Sequence, residues 1–347
     1  MKKNFEKSPV VSVIVPCRNE VEYIEGTIKC IVENDYPKDC IDIIIVDGMS
    51  DDGTREILEK LQLKYNFIRV ENNERKVAPS AFNIGLQKMV GEYFVIIGAH
   101  SEIAKDFIKN SVECLQEKEE AWVAGGYIET VSRTFVGNAI AEVLKSPFGI
   151  GDAKFRTGNF EGYVETLAFG MHYSWVIDKV GYFDESFIRA QDTDFNTRIR
   201  QAGGKIWLSR SIKSVYYGRS SLDKLRRQYL QYGFWRMKFI KKHGKASALR
   251  QYVPLVFVLS IIFSLILSLF SVFGLYLLVL ILFSYFSFLI FAVFDVAKRS
   301  KLKYALLAPV IIPIIHFSFG IGNIKGIWNF FIRRKTSFNP QTYKLTR

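Results

Sequence analysis

Cysteine is scarce in this sequence, and what there is stands apart. Cys17, Cys30, Cys40 and Cys114 show no close pairing and no CxxC, and no His/Cys cluster marks a zinc site. That excludes a disulfide framework and leaves free thiols in a reducing cytosol. Internal repeats are missing, and low-complexity tracts are absent outside one apolar region. Acidic residues are outnumbered, giving a net charge of +13. Charge is missing altogether from Val253 to Phe294, in a chain of 347 residues that otherwise mixes charged, polar and apolar residues up to about His243. A soluble core does not need so long an uncharged stretch, so one large soluble protein is excluded. The excess of base does not indicate nucleic acid. Much of it lies in Leu225–Lys245 and in AKRSKLK, Ala297–Lys303, which flank the apolar region, so membrane lipid is the partner it fits.

The mixed region reads as alternating strands and helices. MKKNFEKSPVVSVIVP resembles a signal peptide only superficially: its apolar run is too short, and no small-residue cleavage site follows. Val10–Val15 is instead a first strand ended by Pro16, and a helix follows near Val21–Glu33. After the break at Tyr36-Pro37, the β-branched run Ile43–Val46 is too short for a helix and reads as a buried parallel strand. It stops at Asp47, and the glycine-punctuated turn GMSDDG leads into helical spacing from Thr54. Phe67–Glu71 is a short strand, Pro79–Val90 a helix, and Tyr93–Ile97 a strand ending in Gly98-Ala99-His100-Ser101. Ala121 to about Gly218 is less regular, and is expected to form the other wall of a cleft. The pattern predicts a doubly wound α/β fold. Ligands of such sheets bind at the carboxyl ends of the strands, where Asp47, Asp51 and Asp52 stand. A carboxylate there accepts hydrogen bonds from a ribose or base edge, or helps hold a divalent cation; an ordinary Asp/Ser turn has the same composition.

About 20 residues cross the hydrocarbon core of a bilayer. Residues 254–273 and 275–294 meet that length, with Gly274 as the turn of a hairpin. A third stretch, 304–321, contains Pro309, Pro313 and His316, and either crosses or re-enters. The basic tail Ile332-Arg333-Arg334-Lys335 favours the cytoplasmic side and weighs against a simple third crossing. The predicted organisation is a globular domain over 1–245, closed by a basic interfacial helix at 221–245, then a transmembrane region over 252–331. That makes a multi-pass protein of the cell membrane with a cytoplasmic globular domain.

Several segments, in order, resemble the inverting glycosyltransferase family 2 of GT-A fold: VSVIVPCRNE (11–20), VDGMSDDGT (46–54), FNIGLQKMVGEYFVIIGAH (82–100), VGYFDESFIRAQDTDFNTRIRQAGGKIW (180–207) and RQYLQYGFWR (227–236). SPFGIGDAKFRT and GYVETLAFG add similarity to its succinoglycan-biosynthesis, ExoA-like branch. Each motif alone is weak; five in order are specific.

The resemblance implies a nucleotide-sugar donor, UDP-linked, whose departing diphosphate is stabilised by Mg²⁺ or Mn²⁺. Matching the family's Asp-x-Asp motif places His100 as metal ligand and leaves Gly98 where the first carboxylate stands. Its Glu-Asp motif falls on Gln191-Asp192, making Asp192 the catalytic base and Asp194 the runner-up; Asp184 is expected to stabilise a turn. Pro16, Asn19, Glu20, Asp47, Asp52 and Asn83 match nucleotide-binding positions. Gln191, Arg219, Gln228, Trp235 and Arg236 match acceptor or diphosphate positions; the last three also suit an interfacial helix. The implied activity is transfer to a lipid-linked saccharide in surface polysaccharide synthesis. Transfer to a polyprenyl phosphate, or a non-catalytic membrane partner, are the competing readings.

Overall fold

The computed structural model describes residues 8–150, 154–158, 160–246 and 248–334. Lys335 of the basic tail and residues 151–153 of the SPFGIGDAKFRT segment lie outside them. The elements run β1 Val11–Cys17, α1 Ile24–Val32, β2 Ile41–Asp47, α2 Thr54–Lys64, β3 Ile68–Asn72, α3 Ala78–Lys88, β4 Tyr93–Ile96, β5 Ser101–Ile103, α4 Phe107–Glu117 and β6 Ala121–Val131. Then come α5 Phe135–Leu144, α6 Pro147–Ile150, α7 Lys154–Thr157, β7 Gly162–Tyr163, β8 Met171–Tyr173, α8 Val176–Val180, α9 Gln191–Gln201 and β9 Lys205–Tyr217. The chain continues through α10 Leu222–His243, α11 Val253–Ser268, α12 Val272–Arg299, α13 Leu302–Ala305 and α14 Ala308–Ile327.

It falls into two compact units. A sheet unit comprises the chain up to Glu129 together with Gly158–Tyr217, and a helical unit comprises Thr130–Thr157 and the chain from Gly218 on. The basic helix α10 and the segment 130–157 group with the apolar helices.

One sheet in the order β3-β2-β1-β4-β8-β6-β9-β5, with β7 beside β9, carries the first unit. The first four strands are parallel, and β8 joins β4 and β6 antiparallel. Both faces of the parallel half are covered. Val11, Val13, Ile43 and Ile45 enter one core while Ile14, Ile44 and Val46 enter the other, which is why these strands read as unbroken apolar runs. Pro16 does not end β1, which runs on to Cys17. Ile14 faces β4, since its carbonyl accepts from Ile97, and Pro16 faces the same side two residues on, where β4 has already stopped. No ladder bond is lost there. The stretch from Ala121 is more regular than expected, because β6 and β9 are the two longest strands.

None of the four cysteines forms a disulfide. Burial pushes the thiols of Cys30 and Cys114 up to about 11, so both stay protonated.

His172, on β8, is buried and stacked on Phe94 with ring centroids 4.7 Å apart. Burial holds its imidazole down to about 4. A free histidine titrates near 6.5, so the unfolded chain takes up the proton first as pH falls. Stability from this group is complete above about pH 6.5 and is lost towards pH 4, by about 3 kcal/mol in all. Denaturant unfolding in detergent from pH 7 to pH 4 should show that slope, and His172→Leu should flatten it.

In the helical unit, three stretches are long and apolar enough to cross a membrane: Leu249–Ser268, Val272–Arg299 and Leu302–Ile332. The hairpin turn is Leu269–Ser271, not Gly274. Ser271 caps α12 by accepting from the amide of Phe273, and Gly274 lies inside that helix. A Cβ on Gly274 would stand 2.3 Å from the amide nitrogen of Ser268, so the glycine is there for close approach. α12 also runs past Phe294 to Arg299. The third stretch is helical through both prolines: Pro309 sits in the first turn of α14, where its missing N–H costs nothing, and Pro313 lies inside.

Candidate active site

The site is built where β1, β2 and β4 end. Two loops, Arg18–Tyr23 after β1 and Gly48–Gly53 after β2, are bonded to each other. The Asn19 amide N–H donates to Ser50 Oγ (2.9 Å), Asn19 Nδ2 donates to Asp51 Oδ1 (2.8 Å), and the Asp51 amide donates to Asn19 Oδ1 (3.1 Å). The Glu20 amide donates to Thr54 Oγ1 (2.8 Å) and the Val21 amide to Asp52 Oδ2 (3.2 Å). Asp52 also accepts from the Thr54 hydroxyl at 2.6 Å. Desolvation pushes its carboxyl up, but the Thr54 hydroxyl and the amides of Thr54 and Val21 outweigh it and hold Asp52 below the ordinary range.

Asp47 is fully buried. It accepts from Ser50 Oγ at 2.5 Å and from Arg55 Nη1 at 2.9 Å, so its carboxylate anchors the turn to the first turns of α2. Asn83 is likewise committed. Its Nδ2 donates to the Phe183 carbonyl (2.9 Å) and to Glu185 Oε1 (3.0 Å), and its Oδ1 accepts from the Phe183 amide (2.9 Å). Both match nucleotide-binding positions, and in the structure both fasten loops. Asp184 is a turn residue, as expected, accepting from the Ser186 amide at 3.0 Å.

The segment Gly98–His100 is held from α1 and from the β1 loop. Thr27 Oγ1 donates to the Ala99 carbonyl (2.9 Å), and His100 Nδ1 lies 2.9 Å from Glu20 Oε1. A neutral His100 donating from Nδ1 to Glu20 carries its lone pair on Nε2, the arrangement by which a carboxylate orients a metal-binding imidazole. The Tyr216 ring is 5.1 Å from the His100 ring and Tyr23 is 6.4 Å from it, and the Tyr217 amide donates to the His100 carbonyl (3.1 Å). Thr27, Tyr23, Tyr216 and Tyr217 were not found from the sequence. No local pattern joins residues from α1 and β9 to a loop after β4.

Asp192 and Asp194 open α9 and differ sharply. Asp194 is fully buried and accepts from Arg198 Nε at 3.0 Å. Asp192 is exposed, and its Oδ1 accepts from the amide of Thr193 at 2.8 Å. Gln191 Oε1 is buried without a hydrogen-bond partner. Non-glycine residues at positive φ gather around these loops: Asn19 (55°), Met49 (57°), Lys76 (59°), Phe169 (55°) and Ala190 (64°). Such backbone costs free energy and collects at binding sites.

Thus Pro16, Asn19, Glu20, Asp52 and His100 fall together, while Asp192 sits at the start of α9 with a local hydrogen bond. Arg219, Gln228, Trp235 and Arg236 belong to the helical unit. There Gln228 Nε2 donates to the Tyr232 hydroxyl (2.8 Å), Arg236 lies 5.3 Å from the Phe239 ring, and Trp235 is fully buried, 6.0 Å from the Phe330 ring. Trp235 is a packed residue and does not stand exposed at headgroup depth.

Known proteins are similar to this chain. The profile described as Glycosyl transferase family 2 matches residues 12–170. A Methanococcus voltae protein named dolichyl N-acetyl-alpha-D-glucosaminyl phosphate 3-beta-D-2,3-diacetamido-2,3-dideoxy-beta-D-glucuronosyltransferase is 35% identical over 239 residues, 67% of this chain and 74% of that protein. Succinoglycan biosynthesis protein ExoA of Rhizobium meliloti is 30% identical over 246 residues, 70% of this chain and 74% of that one. The chain belongs to glycosyltransferase family 2 and is a glycosyltransferase of the ExoA-like branch. The mannosyltransferase PcManGT of Pyrobaculum calidifontis, solved with GDP-Man and Mn²⁺, shares the fold, with a TM-score of 0.57 at 19% identity over 94% of this chain and 91% of that one.

Proposed function

We propose that the protein transfers a sugar, with inversion, from a UDP-linked donor to a lipid-linked saccharide during surface polysaccharide synthesis. The observation that carries the reading is the Glu20–His100 hydrogen bond of 2.9 Å, which ties the β1 loop to the segment after β4. In this reading Asn19, Glu20 and Asp52 shape the nucleotide cradle, with Pro16 at its base, and Asp47 and Asn83 act on it by holding its loops.

Asp192 is the base. Its carboxylate takes the proton of the acceptor hydroxyl as that oxygen bonds to the anomeric carbon from the face opposite the diphosphate; the bond from that carbon to the diphosphate breaks, and the electron pair leaves with the phosphate. Exposure lets Asp192 reach an acceptor, whereas Asp194 is buried and spent on Arg198. By motif match Gln191 of the sheet unit is assigned to the acceptor or diphosphate; Arg219, Gln228 and Arg236 carry that assignment within the helical unit, where Trp235 is a packed residue.

The protein donors fit a divalent cation that takes most of its ligands from the diphosphate. Among the described residues no group of three or more His, Cys, Asp or Glu could hold a metal ion, and Gly98 offers no side chain, but His100 is oriented by Glu20. Bound there, Mg²⁺ or Mn²⁺ would stabilise the charge of the departing diphosphate.

Tethering suits a lipid acceptor, because confinement to the bilayer raises its effective concentration. The domain over 1–245 would face the cytoplasm, where the donor is made. Incubating purified protein with a panel of nucleotide sugars and native lipid extract tests the reading. UDP-sugar turnover that depends on the lipid fraction supports it, transfer to polyprenyl phosphate redirects it, and absence of turnover with every donor overturns it.

A further inference from the structure

α14 is apolar enough to be a third span, yet three features of the helical unit place its second half elsewhere. The first is its partner. α10 and α14 run in the same direction with their backbones touching. A Cβ on Gly322 would stand 2.2 Å from the Leu230 carbonyl oxygen, one on Gly233 would stand 2.0 Å from that of Phe319, and one on Gly326 would stand 2.7 Å from that of Phe234. Lys241 Nζ closes the pair, donating to the Phe330 carbonyl at 2.7 Å. α10 carries Asp223, Lys224, Arg226, Arg227, Arg236, Lys238, Lys241 and Lys242. Each such charge costs about 2.5–3.5 kcal/mol at the centre of a bilayer, so α10 stays out of the hydrocarbon. Backbones this close put residues 319–330, the second half of α14 and the turn that follows it, at the same depth.

The second feature is reach. Arg250 is the last charge before α11, and Gly320 meets α11 at its first turn, with a Cβ there 2.5 Å from the Pro254 carbonyl oxygen. Phe317 touches the same level, its ring 5.3 Å from Phe257. Only Ile321–Ile332 remains beyond that point, about 18 Å of helix against a hydrocarbon core of about 30 Å. The third feature is polarity. Lys325 is exposed, and Asn323 is fully buried with neither side-chain atom hydrogen-bonded.

We infer that the chain crosses the bilayer only as the α11–α12 hairpin, and that α10 and α14 form a pair lying on an anionic lipid surface at headgroup depth. Val310 and Ile321 on α14, Leu306 before it and Trp328 and Ile332 after it are exposed, and this apolar surface rests on the acyl boundary, with exposed Lys325 beside it. Exposed Arg226, Arg227, Lys241, Lys242, Arg333 and Arg334 meet lipid phosphates. The tail then leaves on the side from which it came.

Single cysteines introduced as Ser300→Cys and Arg334→Cys, labelled with a membrane-impermeant maleimide in sealed vesicles, test this. Both should label from the same side. Labelling of position 334 only from the side opposite to 300 overturns it. On the otherwise unchanged chain, a protease-cleavable tag after Arg347 gives the same answer without either substitution. Lipids brominated near the headgroup should quench Trp328, read as the difference from Trp328→Phe, more strongly than lipids brominated at the chain ends; the reverse order also overturns it.

Discussion

Asp192→Asn is expected to lower kcat by ~10²-fold or more while donor affinity stays near normal. The amide keeps the shape and can still accept from the Thr193 amide at 2.8 Å, so α9 should start as before. What it cannot do is accept the acceptor's proton. Asp194→Asn should behave differently. Its carboxylate is fully buried against Arg198, so removing the charge leaves a guanidinium facing a neutral group and lowers the melting temperature first. Single-turnover kinetics with donor titration, beside thermal melts of both variants, separates the two. Full turnover by Asp192→Asn would refute Asp192 as base, and a rate loss confined to Asp194→Asn with an unchanged melt would move the role there.

What could be read from sequence follows burial. β1, β2 and β4 were legible because both their faces are covered, which forces unbroken apolar runs. β9 was not: its SRSIKSVYY mixes Arg, Lys and Ser with apolar residues because its exposure alternates. In the apolar region no change of polarity marks the hairpin turn, and the one usable signal was Ser271 as a helix cap. Motif matching found Glu20 and His100 separately, but only the fold brings together two residues 80 positions apart. It assigned ligand contacts to Asp47 and Asn83, whose partners Arg55 and Phe183 become visible only once the loops are placed. The stretch 304–321 stayed open between crossing and re-entering because hydropathy does not register the charged helix packed along it.

His100→Ala is expected to lower donor affinity, divalent-ion dependence and rate together, since on the proposed reading it removes an imidazole, oriented by Glu20, that serves the departing diphosphate. Glu20→Gln keeps the volume and loses the carboxylate behind Nδ1, and should weaken cation affinity in the nucleotide complex by roughly 10–100-fold, the usual cost of losing such a partner. Because Gly98 gives no carboxylate, the protein without nucleotide should hold Mn²⁺ poorly, and UDP should tighten binding. Gly98→Asp reverses the logic. A Cβ there has only ordinary contacts, 3.4 Å to Ser101 Oγ and 3.8 Å to the Phe169 ring, so the added carboxylate has room. It should raise Mn²⁺ affinity in the absence of UDP, because a hard cation gains an oxygen ligand. Free Mn²⁺ measured by electron paramagnetic resonance, with and without UDP, reads all four proteins. Tight Mn²⁺ binding by the unmodified chain before nucleotide is added, or a His100→Ala protein whose UDP-dependent Mn²⁺ binding is unchanged, would remove His100 from the cation site.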